Sequence, residues 1–192
     1  MSFQAGYAPQ FAERELSDEA LHAVSTAVRL MLEHHDPLPA IVVDRRWNLI
    51  DANAGAWLLS ADASAELLEP PINVIRLSLH PKGMSSAVSN FEEYAHHIVE
   101  RLRRQVTQTA DTGLAELLDE VSAYPGVPRS APVPPPPGAV LPLCLRVGER
   151  SLSLFSTIAT IGSPLDVTVA ELAIEAFFPA DEPTREQFSR AS

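Results

Sequence analysis

A single cysteine, Cys144, stands in 192 residues, which rules out an internal disulfide framework and fits a reducing compartment with the thiol free and buried. Basic residues are also scarce: 14 Lys plus Arg against 25 Asp plus Glu leave a formal charge of −11 at pH 7. That excess opposes a phosphate backbone, so the chain by itself is not expected to grip DNA. No window approaches ~18 consecutive apolar residues, and the opening MSFQAGYAPQ has no basic region ahead of an apolar one. Neither a membrane span nor a secretory leader is read, and a cytoplasmic setting is expected.

Chemical signatures are just as sparse. There is no G-x-S-x-G, no Walker loop, no G-x-G-x-x-G and no H-E-x-x-H, so no catalytic residue is assigned and an enzyme is not expected. Glu93-x-x-His96 has the spacing of a helical carboxylate–histidine ligand pair, but a di-metal bundle needs two such motifs and further carboxylates. Surface ion pairs on one helix account for it, and no metal site or resident cofactor is assigned. His34 and His35 sit where an imidazolium complements a helix C-terminus.

What is present is a foldable mixture: 46% apolar and 20% charged residues, in a length that buries roughly 70% of its unfolded surface. Leu16, Ser17 and Leu21 read as a hydrophobic staple around an N-cap, with Leu21, Val24, Val28, Met31 and Leu32 at helical spacing up to Pro37. This amphipathic helix either packs on its own domain or serves as a connector or dimerising element. AIVVD and WNLIDAN, from Ala40, read as two strands joined by a tight polar turn. Residues 53–69 suit one or two short helices, and 72–89 are ambiguous between a helical turn and an extended piece.

A clear helix opens at Asn90, read as an N-cap with Glu93 in a capping box, and carries Phe91, Ala95, Ile98, Leu102 and Val106 on its apolar face. A second helix begins after Asp111 or Thr112, turns Leu114, Leu117, Leu118 and Val121 inward, and pairs with the first as a hairpin. Residues 125–142 hold 8 of the 17 prolines and read as an exposed loop. Three strands follow, Leu141 to Val147, Arg150 to Ile161 and about Val167 to Phe178, with Gly148-Glu149 and Gly162-Ser163-Pro164 as turns. The last is the least distinct, because VTVAELAIEAF also satisfies helical spacing.

Two strands, a helical middle and three consecutive antiparallel strands form the element order of a PAS-type domain. The fold class expected is therefore α+β: a five-stranded antiparallel sheet with helices on one face and an N-terminal amphipathic helix. Residues 1–36 are read as an N-terminal segment with the connector helix, 37–180 as the PAS-like domain and 181–192 as a C-terminal tail. Within RLSLHPKG, Arg76, His80 and Lys82 bring cationic and hydrogen-bonding groups into an apolar stretch. They either receive an anionic head group or fix a turn.

GYAPQF at Gly6, PLPAIVVDRRWNLIDAN at Pro37, PPINVIRLSLHPKGM at Pro70, NFEEYAHHIVERLRRQV at Asn90 and LFSTIATIGSPLDVTVAELAIEAFFPAD at Leu154 resemble the MmyB-like transcription regulator ligand-binding domain. In that family a PAS-like domain follows a helix-turn-helix of the XRE type. The family pattern falls on Trp47, Asn53, Asn73, Arg76, His80, Pro81, Gly83, Asn90, His97, Arg101, Leu102 and Pro179. Tyr94 stands where relatives place tryptophan, and Ile161-Gly162-Ser163 replaces Phe-Gly-Thr.

The resemblance implies a regulatory module that holds a small lipophilic, fatty-acyl-like ligand between sheet and helices. Arg76, His80, Asn90, Tyr94, His97 and Arg101 are the residues expected to bind it. Trp47, Asn53, Asn73, Pro81 and Gly83 are expected to be structural, Asn53 as a helix cap and Trp47 in the core. No helix-turn-helix precedes GYAPQF in this sequence, so DNA is expected as a partner only through a separate module. The alternative is an interaction domain that forms a homodimer and binds no ligand.

Overall fold

Five strands form one antiparallel sheet in the spatial order β2-β1-β5-β4-β3. In the computed structural model, which describes residues 18–128, 141–161 and 172–189, they are β1 Ala40–Val43, β2 Leu49–Ala52, β3 Leu143–Val147, β4 Arg150–Ile161 and β5 Leu172–Pro179. The first two strands therefore lie beside the last three, joined at the β1–β5 pairing where Val42 faces Ile174. This is the PAS-like α+β arrangement the element order implied. The expected Leu16–Ser17 helix start, the centre of the proline-rich loop and the Gly162-Ser163-Pro164 turn lie outside the described residues.

Alternation along the strands assigns their two faces. Ala40, Val42 and Ile174 pack with Val28 and Leu32 of helix α1, Asp18–His35, on the outer face. Met31, read from spacing as inward, is instead 53% exposed, next to Leu30 at 49%. The inward stripe runs Val24, Val28, Leu32 in steps of four residues, which is narrow enough to leave Met31 beside it. On the inner face Ile41, Val43 and Phe177 meet the helical middle. That layer comprises two 3-10 helices, Ala54–Ser60 and Ala65–Leu68, then α2 Val74–Leu79, α3 Phe91–Thr109 and α4 Thr112–Ser122.

Three asparagines lock the junctions. Buried Asn53 caps the first 3-10 helix by accepting from the Ala56 amide at 3.1 Å, and accepts from the Ala40 amide at 2.9 Å. Its Nδ2 donates to the carbonyls of Leu38 at 2.8 Å and Leu32 at 3.3 Å, so one side chain joins α1, β1 and the 3-10 helix. Asn73 caps α2 through the Arg76 amide at 3.1 Å and donates to the Arg46 carbonyl at 2.8 Å, fixing the segment that flanks β2. Asn90 makes no side-chain cap on α3, so the expected capping box is not formed. Its amide turns to β3 instead, accepting from the Cys144 amide at 3.0 Å and donating to the Pro142 carbonyl at 2.8 Å. The reason is that β3 is an edge strand whose unpaired groups need partners.

Other local readings meet their reasons here. Asp111 is the N-cap of α4, accepting from the amides of Gly113 and Leu114. Gly148 opens the β3–β4 turn at φ +58°, the left-handed region glycine enters freely. Gly83 lies so close to the Leu77 carbonyl that a Cβ would fall 2.1 Å from its oxygen. Cys144 is half-buried rather than buried, since it alternates outward on β3 between inward Leu143 and Leu145. Residues 182–189 form a further helix, α5 Glu182–Ser189, which docks on β4 by accepting from the Ser153 amide at the Thr184 hydroxyl, 2.9 Å, and by burying Phe188.

Replacing Asn53 with alanine leaves the Ala40 amide and the Leu38 carbonyl without their partner in a buried junction. Unfolding free energy should fall by roughly 2–3 kcal/mol, read from urea denaturation followed by circular dichroism, with the native spectrum retained.

Candidate functional site

The inner face of the sheet does not close completely on the helices. A cavity of about 60 Å³ remains, walled by Ile41 and Ala52 of the sheet, Ala56 and Leu59 of the 3-10 helix, Ile75 and Leu77 of α2, and Ile98 of α3. A second space of about 190 Å³ adds His97, Leu141, Leu154 and Ser156. The two share Tyr94, Ile98, Arg101, Leu143, Glu175 and Phe177 as walls. The smaller cavity is mainly aliphatic and aromatic in surface while the larger space is nearly half polar, so the placement of the polar groups decides what they accept.

Those groups converge at one end. Glu175 points inward from the middle of β5 and is buried; its Oε1 accepts from the Ser156 hydroxyl at 2.7 Å and lies 3.5 Å from Nη1 of Arg101. The Arg101 guanidinium stacks over Trp47 at 4.2 Å, a cation–π contact. Trp47 itself is held at φ +66°, an uncommon backbone state for a bulky residue. It is kept there by its amide donating to the Asp44 carbonyl at 3.0 Å and its indole N–H donating to Gln105 at 2.7 Å. Nε of Arg101 is buried and has no hydrogen-bond partner among the described residues.

Tyr94 completes the polar end. Desolvation first, and then the nearby Glu175 charge, push its phenol up to about 12, against weaker lowering by a Ser78 hydrogen bond and by Arg101. The hydroxyl therefore stays protonated and available as a donor at neutral pH. His97 is lowered, by desolvation first and then by the Arg101 and Arg104 charges, and so favours its neutral form.

Of the six residues read as ligand-binding, the structure brings Tyr94, His97 and Arg101 together on α3. Asn90, at the head of the same helix, anchors β3. Arg76 and His80 are not wall residues of either space. Arg76 donates from Nε and Nη2 to both oxygens of Glu120, each at 2.7 Å, tying α2 to α4, and Glu120 also accepts from the Tyr124 hydroxyl. Glu120 is correspondingly lowered, by the Arg76 hydrogen bond first. His80 caps α2, accepts the Lys82 amide at Nδ1 at 3.0 Å and meets the Tyr124 ring edge-on. Sequence reasoning missed Glu175 and Ser156. Alternation alone, with Ala173, Glu175 and Phe177 on one face, would have flagged an inward acid had the strand been distinguished from a helix. Among the described residues, no cluster of His, Cys, Asp and Glu suits a metal, and no helix is long and apolar enough to cross a membrane.

The family model described as MmyB-like transcription regulator ligand binding domain matches residues 24–191. No curated protein matches the chain.

Tyr94 also predicts an alkaline limit. A phenol raised from 10 to about 12 contributes stability that is complete below pH 10 and is lost as pH rises toward 12. Tyr124, raised likewise to about 12 by desolvation and Glu120, adds its own share. Tyr94→Phe should flatten the fall of unfolding free energy over that window, and Tyr94→Phe/Tyr124→Phe should flatten it further, as measured by urea titrations at successive pH values.

Proposed function

The chain belongs to the MmyB-like transcription regulator ligand-binding domain family, and from that membership we propose that it senses a small lipophilic molecule, fatty-acyl or similar, held between sheet and helices. The observation that carries this reading is a small cavity with mainly aliphatic and aromatic walls that adjoins a more polar space, the two sharing Tyr94, Arg101 and Glu175. An apolar body with one polar or acidic head matches that distribution. Tyr94, His97 and Arg101 meet the head. Arg76, His80 and Asn90 act from outside, by fixing α2 and the start of α3.

At about 60 Å³ the inner cavity is smaller than the several hundred Å³ such ligands occupy. Tyr94 and Phe177 are among the walls it shares with the 190 Å³ space, so displacing them would give a ligand access to both volumes. The ligand thus favours an opened packing over the closed one, and this difference in affinity is what shifts the equilibrium. Coupled to a DNA-binding module, the shift becomes a regulatory signal. A second reading is supported by Leu30 and Met31, adjacent and about half exposed on α1: that face joins two copies of the domain.

Native mass spectrometry before and after organic extraction should detect a bound lipophile, and decanoate or longer acids should raise the melting temperature of the extracted protein. Ala52→Leu, which fills the cavity from edge strand β2, should remove that shift while leaving the free protein folded. A ligand-free species with no thermal response to any chain length would overturn the proposal. For the second reading, light scattering should give a dimer that Leu30→Asp/Met31→Asp converts to monomer.

A further inference from the structure

A groove of about 390 Å³ lies on the other side of Arg101 from the cavity, where α3 crosses β1, β4 and β5. Ile158, Thr160 and Ala173 contribute to its sheet side, Trp47 lines it, and Arg45, Arg101 and Arg104 bring three guanidiniums to it. In a chain of net charge −11 this is a local reversal of sign. Asp44 is the one acid among the described lining residues. Its oxygens already accept from the amides of Arg46 and Asn48 and from the Asn48 side chain.

Two of the three guanidiniums have capacity to spare. Arg104 enters no ion pair among the described residues. Arg101 has its Nε buried without a partner among the described residues, and its ion pair with Glu175 is long at 3.5 Å. Three residues apart on α3, the two side chains lie on one face of the helix. Planar guanidiniums beside an indole suit an anion that carries a flat or apolar body.

We propose that this groove binds a small organic anion, a carboxylate or phosphate monoester, gripped by Arg101 and Arg104 against Trp47. The anion is either a free solute or the acidic head of the cavity's own ligand reaching past Arg101, and only the latter source rests on the function proposed above. Because Arg101 walls both spaces, an anion in the groove competes with Glu175 for the guanidinium. Occupancy of the groove thereby alters the polar end of the cavity.

The chain has two tryptophans, so Trp57→Phe leaves Trp47 as the sole indole and its fluorescence as the probe. The full chain carrying that change is titrated with benzoate, phenyl phosphate, decanoate and 1-decanol at low and high salt. Benzoate or phenyl phosphate should give a saturable response that weakens with salt. Arg104→Gln should weaken it about tenfold, Arg104→Lys less, and Glu175→Gln should strengthen it. A response confined to decanoate, weakened by Arg104→Gln where that of 1-decanol is not, supports the site with the ligand's head as its source. Decanoate and 1-decanol binding alike, with no response to benzoate and no effect of Arg104→Gln, overturns the anion site and leaves the cavity reading standing. Benzoate binding that depends on Arg104, with no response to either ten-carbon probe, upholds the groove and counts against the cavity reading. Silence toward all four probes overturns the groove proposal.

Discussion

Setting Arg101 beside Glu175 in an otherwise apolar cleft removes both charges from bulk water, and their mutual attraction offsets that loss only when further hydrogen bonds and contacts help. The surrounding residues supply that help. Ser156 donates to the carboxylate and Trp47 lies under the guanidinium, while Gln105 holds the indole and the left-handed backbone at Trp47 aims it. Tyr94, desolvated first and then next to the Glu175 charge, holds its proton in the same cleft. Moving Arg101 therefore disturbs the β1–β2 turn, the middle of β5 and the inward face of α3 together.

That coupling requires a frame that does not itself yield. The frame is tied by polar side chains in places where apolar packing alone leaves backbone groups unpaired. Asn53 joins α1 to β1 and the first 3-10 helix, Asn73 closes the flank of β2, and Asn90 closes the free edge of β3. Each works because an amide both donates and accepts, so one residue satisfies two stranded backbone groups at once. The bidentate Arg76–Glu120 pair performs a comparable task between α2 and α4. Its partial exposure makes it a positioning contact more than a source of stability.

Much of this frame was legible in the sequence. Period-two alternation from Leu143 to Leu154 and period-3.6 spacing in α3 and α4 identify elements whose burial follows directly from their pattern, whereas Ile158, on the same alternating face, is exposed. Asn53 and Asp111 were readable as caps because they directly precede helical runs. Asn90 looked like a cap for the same reason and is not one, since the groups it satisfies sit on a strand more than fifty residues away. Charge placement was less legible still. The cationic cluster at Arg76 and His80 is conspicuous along the chain, yet its partner Glu120 lies on another helix and neutralises it. Glu175 was hidden because its strand also reads as a helix, and on a helix an acid at that position has no reason to face inward.

The smallness of the cavity bears on how such a domain signals. A fully preformed pocket would bind its ligand without changing anything else, whereas a ligand of the proposed size would have to displace walls of the 60 Å³ cavity. The apparent affinity is then the intrinsic one reduced by the fraction of molecules already open. Anything that favours the open state raises it by the same factor. The long Arg101–Glu175 contact is the natural place for that bias, because weakening it loosens α3 from β5 at the wall common to the cavity and the groove. On the proposed function, binding strength and conformational response share the same ion pair, and a substitution that tightens the pair should lower ligand affinity even when it touches no ligand atom.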